Sequence, residues 1–412
     1  MFPGWRVVAG AGIGLAFCSS VFIGSTFSLL AAAIGAQYGW TPGQLALGAS
    51  IVLFMQIFTY PAAGMLADRI GSRRAAMFAI AMFAAGLLAL SQIGKPIWNV
   101  LGNPLHQYYA SFLLIGLFSA GTNVVSYTRA LSLWFDRRRG IAIGAAAAFQ
   151  AIGATVMPIA FQRLIAVSDW QTALLLLAVG LILVCLPVVA IFVKDSPADL
   201  GLNPDGADVL DAETSGREAL PRRSLSSLLT DPLFRQLALA FSVMGFAAYA
   251  LTTNAVLILT SVAGLSLPQI ATVQAISGAS ILLGRIGFGL LLDRFNAALV
   301  ATFAVVLGGL VFVSYGMGGS FNVIMVTAVV VGVSIGGESD LMPYLAGRYF
   351  GRDAASSVFG WFLSAFVIGA ALGPVVFAQA ASALGSAVPV LFAVAALHIV
   401  PATVFILLFR RG

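Results

Sequence analysis

Between Gln236 and Gly284 no residue carries a formal charge, and a single cation, Arg285, interrupts the run before Asp293-Arg294 ends it. An apolar stretch this long has few places to go. About 20 such residues suffice for a helix to cross a bilayer. Runs of this kind fill the whole chain. Charged residues make up 9% of it, against about 25% in soluble proteins, and they fall at the ends of the runs. A soluble globular protein is excluded, and a polytopic α-helical membrane protein is expected. A β-barrel would show short alternating segments instead. The first run starts at Val7 and is too long for the apolar core of a cleaved signal peptide, so no separate leader is expected. The net charge of +6 is no sign of nucleic-acid binding, because the basic residues sit at helix ends. Cys18 and Cys185 lie in different apolar runs and read as packing residues.

Charges and turn residues divide the chain into twelve spans. Helices are expected at about 6–35, 44–66, 75–94, 108–135, 140–167 and 171–193, then at 232–263, 268–292, 297–316, 321–349, 355–383 and 388–409. Asp68 to Arg74 reads as a tight polar loop, and Lys95 to His106 as a longer one with two prolines. Residues 194–232 hold eight acidic and four basic residues with several Pro and Gly. Such a composition cannot bury a core, so this segment reads as a solvated tether with a short surface helix near 224–229. The domains are then 1–193, a six-helix bundle, the linker 194–232, and 233–412, a second six-helix bundle.

The halves repeat each other. Gly64-x-x-x-Asp68-Arg69 recurs as Gly289-x-x-x-Asp293-Arg294, and Gly144, Gly153 and Pro158 recur as Gly360, Gly369 and Pro374. Two related bundles suggest the layout of alternating-access transporters. Lys and Arg crowd one side of the spans: Arg6, Arg69, Arg73, Arg74, Arg137 to Arg139, the linker cations, Arg294, Arg348, Arg352, Arg410 and Arg411. By the positive-inside rule both termini and the linker are expected in the cytoplasm.

Arg285 is the residue that asks for an explanation. An Arg at bilayer depth costs about 2.5–3.5 kcal/mol on insertion scales. It must meet a carboxylate, a water-filled cavity or an exchangeable anion. Its planar fork matches a carboxylate in both geometry and charge. Glu338 and Asp340 lie in the tenth helix. Two apart, they point in very different directions, and one of them can pair with Arg285 when no anion is bound. Either acid also serves as a plain helix–helix contact. Tyr60, Asn123, Tyr127, Asn254, Gln274 and Trp361 are further pocket candidates, and each serves equally well as helix glue. Asn123 and Tyr127 share a helix face. Tyr60 is the repeat partner of Arg285. Asp68, Arg69, Arg73, Arg74, Asp136, Asp293 and Arg294 read as latches between helices at the charged end, with Arg129 as a structural or gating cation.

These residues resemble the major facilitator superfamily. Gly64-Met65-Leu66-Ala67-Asp68-Arg69-Ile70-Gly71-Ser72-Arg73-Arg74 matches the family's signature between its second and third helices, with Ser72 in place of the usual basic residue. The resemblance implies an all-α membrane protein with twelve helices in two pseudo-symmetric six-helix bundles. Within the superfamily the chain looks like the monocarboxylate transporter and oxalate:formate antiporter branch. The carrying stretches are Trp134 to Gly144, Ser196 to Gly206, Gly337-Glu338-Ser339-Asp340 with Leu345 to Gly351, and Arg285-x-x-x-Gly289-x-x-x-Asp293. The Arg of that last pattern binds the substrate carboxylate in the branch. Two departures matter. Oxalate carriers have a Lys in the eleventh helix, and residues 360–366 contain none. Animal monocarboxylate carriers have a Lys in the first helix, and residues 7–35 are uncharged. One deep cation suits a monoanion.

The resulting expectation is a proton-coupled carrier of small monocarboxylates such as lactate or pyruvate, working by alternating access in a bacterial inner membrane, and functional as a monomer. Arg285, Asn123, Tyr127, Tyr60, Asn254, Gln274 and Trp361 would touch substrate. Glu338 and Asp340 would carry protons. Gly64, Asp68, Arg69, Gly71, Arg73, Arg129, Asp136, Gly289, Asp293 and Arg294 would form the gate. No cofactor, metal, nucleic acid or catalytic role is expected: the chain has no phosphate-binding loop and only two His and two Cys. An exchanger or exporter of larger or aromatic carboxylates keeps the same fold. A receptor that binds a carboxylate without moving it is the reading from another class, disfavoured by the short termini.

Overall fold

The computed structural model describes residues 2–95, 102–206 and 225–411. Twelve helices among them are long and apolar enough to cross a membrane. They are α1 (Gly4–Tyr38), α2 (Pro42–Ile70), α3 (Ser72–Ser91), α4 (Pro104–Trp134), α5 (Arg139–Val167) and α6 (Trp170–Phe192). After the linker come α7 (Pro232–Thr253), α8 (Leu267–Arg294), α9 (Ala297–Met317), α10 (Phe321–Tyr349), α11 (Ala355–Leu384) and α12 (Val388–Arg410). No strand occurs among the described residues. Large apolar side chains such as Phe54, Phe58, Leu183 and Val326 are mostly exposed, which suits lipid as the surrounding solvent. The chain is an all-α integral membrane protein.

Two compact units emerge from the packing. One comprises residues 1–137, 145–220 and 346–360, and the other 138–144, 221–345 and 361–412. The boundaries therefore fall inside α5, α10 and α11 as well as in the linker. The tether expected over 194–232 includes residues 207–224, which lie outside the described residues, as do 96–101 of the loop after α3.

Local chemistry sets the helix starts. Thr41 and Gln44 form a reciprocal capping box with Pro42 in the first turn of α2, and Ser266 and Gln269 do the same for α8. Such pairs satisfy N–H groups that the first turn leaves open. Asp169 caps α6 by accepting from the Thr172 N–H (2.7 Å) and hydroxyl (3.1 Å). The Thr172 N–H bond holds this carboxyl below the usual carboxylate range. Asp68 and Arg69 were expected in a loop. Instead α2 continues to Ile70 and α3 begins at Ser72, so Gly71, at φ +93°, makes the whole turn.

Several spans are interrupted. α1 breaks at Cys18, whose backbone is extended, and α4 breaks over Ala120–Thr122 with Asn123 extended. The two breaks face each other within the first unit. The Ser19 N–H donates to Thr122 Oγ1 (3.0 Å), and Ser19 Oγ donates to the Ser119 carbonyl (3.0 Å). Asn123 Nδ2 donates to Ser19 Oγ (3.1 Å) and the Ser119 carbonyl (3.2 Å), while its Oδ1 accepts from Ser20 Oγ (2.6 Å). Freed backbone groups at membrane depth need such side-chain partners, because lipid offers none. In the second unit, α7 ends at Thr253, and a short helix, Ala255–Ala263, continues the direction of the sequence. α12 is broken at His398.

Replacing Asn123 by Ala removes its bonds to Ser19, Ser20 and the Ser119 carbonyl. It is expected to destabilise the folded protein by about 1–3 kcal/mol, the usual desolvation cost of an unmet buried polar group. A lowered melting temperature of the purified protein in detergent, against an unchanged Gln274→Ala control, checks it.

Candidate functional site

Arg285 sits about two turns before the end of α8 at Arg294, and its partner defines its surroundings. Its Nη1 donates to Asp340 Oδ1 at 3.0 Å, with 12% of the Arg side chain and 3% of the Asp side chain exposed. Both belong to the second unit. The first turns of α5 pass close by. A methyl on Gly144 would lie 2.7 Å from the Arg285 carbonyl and 3.4 Å from Asp340 Oδ2. Removing one member of so buried a pair costs about 3–5 kcal/mol, because the other charge stays behind. The pair is chemically an Arg whose carboxylate can be replaced by another carboxylate, provided Asp340 then takes a proton.

Glu338 has a different environment on the same helix. It is 6% exposed and accepts a 3.0 Å hydrogen bond from Ser334. It does not share the Arg285 ion pair. The two acids expected to carry protons thus have separate partners.

At the charged end of the helices, the repeated Gly-x-x-x-Asp motif does the same work twice. In the first unit, Asp68 accepts from the N–H groups of Ser356 (3.3 Å) and Ser357 (2.7 Å) and from Ser357 Oγ (2.5 Å). These are the opening turn of α11. In the second unit, Asp293 accepts from the N–H groups of Gly140 (2.6 Å) and Ile141 (2.9 Å), the opening turn of α5. Each carboxylate meets unsatisfied donors and the positive end of a helix dipole. The glycine one turn earlier permits the approach. A Cβ on Gly64 would collide with the Ser356 carbonyl, and one on Gly289 would lie 2.8 Å from the Gly140 carbonyl.

Around these caps lie ion pairs. Arg129 Nη2 is 3.2 Å from Asp353 Oδ1, and Arg352 pairs with Asp136. The Asp136 and Arg137 N–H groups donate to Asp205 Oδ2, at 2.8 and 2.6 Å. Asp353 is 40% exposed and Asp136 39%, so each pair alone is worth about 0–1 kcal/mol. The Arg73 N–H donates to Asp195 Oδ1 (3.0 Å), whose carboxylate also lies against Gly71. Arg69 and Arg294 are exposed.

The remaining pocket candidates are scattered. Asn123 is engaged in joining α1 to α4. Tyr127 is fully buried, with its hydroxyl against Gly14. Tyr60 is buried, and its carbonyl packs on Gly360. Asn254 Nδ2 donates to the carbonyls of Ala250 (2.9 Å) and Pro374 (3.2 Å), closing the break after α7. Gln274 is exposed and Trp361 half-buried. Ser356, Ser357, Asp353 and Asp205 were missed in the sequence. So was Arg139, 5% exposed, with its guanidinium 5.8 Å from the ring centroid of Tyr344. The acids Asp353 and Asp205 stand in short polar segments that read as generic loop. His398, given no role from the sequence, is buried at the break in α12.

The model of the Major Facilitator Superfamily matches residues 13–374, and the chain belongs to that family. It is similar to the MFS transporter asaE of Aspergillus flavus, 24% identical over 83% of this chain and 72% of that protein. It is also similar to the fujikurins efflux protein of Gibberella fujikuroi, 26% identical over 72% of this chain and 59% of that one. Among solved structures, it resembles the human organic anion transporter MFSD10, with a TM-score of 0.72 at 15% identity, covering 98% of this chain and 100% of that one. The proton:xylose symporter XylE gives 0.73 at 12% identity, with 97% and 94% covered. These structural likenesses carry the fold. The chain is a transporter of the major facilitator type, and its family and neighbours are transporters rather than enzymes.

The two caps are expected to act locally. Asp68→Asn should speed amide hydrogen exchange at Ser356 and Ser357 about fivefold, and Asp293→Asn should do so at Gly140 and Ile141, each about 1 kcal/mol of lost capping. Peptide-resolved exchange mass spectrometry on the purified protein reads both. Exchange at the other cap should stay unchanged in each variant.

Proposed function

We propose that the chain is a secondary active carrier of small monocarboxylates of the lactate or pyruvate type, coupled to protons and working by alternating access. One observation carries the reading: a buried Arg285–Asp340 pair at 3.0 Å, on a helix whose preceding span is free of charge. A substrate carboxylate competes with Asp340 for the guanidinium. An unpaired carboxylate at that depth is costly, so in this reading Asp340 takes a proton as the substrate binds. Substrate and proton then enter together, and the site stays near neutral throughout. With one deep cation at this site, a second substrate charge would stay uncompensated, which favours monoanions. The Asp68 and Asp293 caps supply contacts that one access state makes and the other breaks. The crowding of Lys and Arg on one side supports cytoplasmic termini; the membrane of this reading is a bacterial inner one, while the curated relatives above are fungal.

A second reading keeps the pair and changes the cargo: export or exchange of larger organic anions. It is favoured by the fujikurins efflux protein among the relatives and the organic anion transporter among the similar folds.

Proteoliposomes loaded at neutral pH and diluted into acid should take up labelled lactate. Arg285→Ala and Arg285→Lys are expected to lower that uptake by more than about tenfold, the loss that 1.4 kcal/mol brings. Asp340→Asn should keep lactate counterflow but lose acceleration by an inward proton gradient. Lactate uptake untouched by Arg285→Ala would overturn the site. Flux restricted to larger aromatic acids would select the second reading.

A further inference from the structure

The second unit holds a pair of ionisable side chains that the Arg285 site does not use. Glu338 of α10 and His398 of α12 are 6% and 5% exposed. Both border a cavity of ≈ 20 Å³ beside Gly308. A methyl group on Gly308 would lie 3.1 Å from Glu338 Oε1 and 3.1 Å from His398 Nε2. Both atoms therefore lie close to the same small volume beside Gly308. A cavity of that size with polar groups on its wall has room for one water molecule.

The hydrogen bonds around the cavity determine which atoms can exchange a proton. His398 Nδ1 lies 2.8 Å from the Val394 carbonyl. A carbonyl only accepts, so Nδ1 carries the hydrogen, and Nε2 is the position that gains or loses one. Ser334 Oγ is within reach of two acceptors, Glu338 Oε1 at 3.0 Å and the Ala304 carbonyl at 3.3 Å. A hydroxyl has one proton and a free rotor. With Glu338 ionised, Ser334 donates to it. With Glu338 protonated, the carboxyl donates to Ser334 Oγ, and Ser334 turns its own hydrogen to Ala304. Both protonation states of the acid are satisfied without moving a backbone atom.

We propose that Glu338, Ser334 and His398 form a closed proton-holding site around one water, separate from the Arg285–Asp340 pair. In the transfer step the Glu338 O–H bond breaks, the water passes a proton on, and an N–H bond forms at His398 Nε2. The pair is net neutral before and after, which a buried site requires. Only complete loss of the shared proton leaves a bare carboxylate, so release waits until the packing around it opens. The other walls add no titratable group among the described residues. α7 contributes Met244, Ala247, Ala248 and Leu251, and α9 contributes Gly308, Val311 and Phe312. On α10 the next acid, Asp340, is held by Arg285 of α8. The proposal does not depend on which substrate is carried.

Infrared difference spectroscopy of the full-length protein in lipid, titrated from acid to neutral pH without substrate, tests it. A carboxylic-acid C=O band is expected in the wild type, lost in Glu338→Gln and retained in Asp340→Asn. The band should shift in His398→Gln and again in Gly308→Ala, where the methyl takes the place of the water. If Glu338→Gln fails to fold, Gly308→Ala decides, since it leaves both ionisable groups in place. A band unmoved by both His398→Gln and Gly308→Ala would mean that Ser334 alone holds Glu338, and the shared site would be refuted. Failure of lactate transport would leave this result standing, because no substrate enters the experiment.

Discussion

An amide N–H that faces lipid finds no water to bond, and this constraint orders the molecule. Regular helices meet it within each span. The irregular places have to meet it with side chains. At the facing breaks in α1 and α4, Ser19, Ser20, Thr122 and Asn123 supply donors and acceptors that an unbroken helix would not need. At the ends of α5 and α11, the open first-turn amides are met by Asp293 and Asp68. The same rule that forbids loops in hydrocarbon thus explains why a short polar motif is written twice. In each copy a carboxylate caps a helix start, and a glycine lets the two backbones come close enough for it to do so.

Charge burial is the second constraint, and it follows from the first. A helix that has satisfied its own amides can carry an ion at depth only if that ion is answered. Arg285 is answered by Asp340 at 3.0 Å. Because the answer is a carboxylate, a different carboxylate can stand in its place. That substitution is the chemical core of the carrier reading, and it needs no residue that is itself reactive. The pairs at the charged end, with their acids well exposed, are weak one at a time. Together with the two caps they surround the starts of α5 and α11.

Much of this could be read in the sequence because the signals were local. The span boundaries follow from the rarity of charge, and the Gly64 and Gly289 motifs repeat in plain text. The position of Arg285 inside an apolar run is visible to the eye. The partners were harder. Ser356 and Ser357 lie far from Asp68 in the chain and look like ordinary helix-start residues. The breaks at Cys18 and Ala120 carry weak punctuation, since Ser, Thr and Asn can stabilise a break or sit in an intact helix with equal ease. Asn123 is extended at the break and lies outside the helix that holds Tyr127, so their four-residue spacing does not put them on one helix face. Their surroundings are the interior of the first unit, with Asn123 joining two broken helices and Tyr127 fully covered. Periodicity gives the face of a helix but not what that face meets.

Glu338 and Asp340 show where sequence reasoning stops and packing takes over. Two residues apart on one helix, they must point to different neighbours. The sequence names neither neighbour. α8 brings a permanent cation to Asp340. To Glu338, α12 brings a histidine whose Nδ1 is already committed to a main-chain carbonyl, and α9 brings a glycine that leaves a gap between them. An acid opposite an Arg has a permanent cation as its partner. An acid opposite a neutral imidazole can keep its proton or hand it across without changing the charge of the site. One helix therefore carries two carboxyl groups with unlike surroundings, and what separates them is the missing side chain at Gly308 as much as the charges themselves.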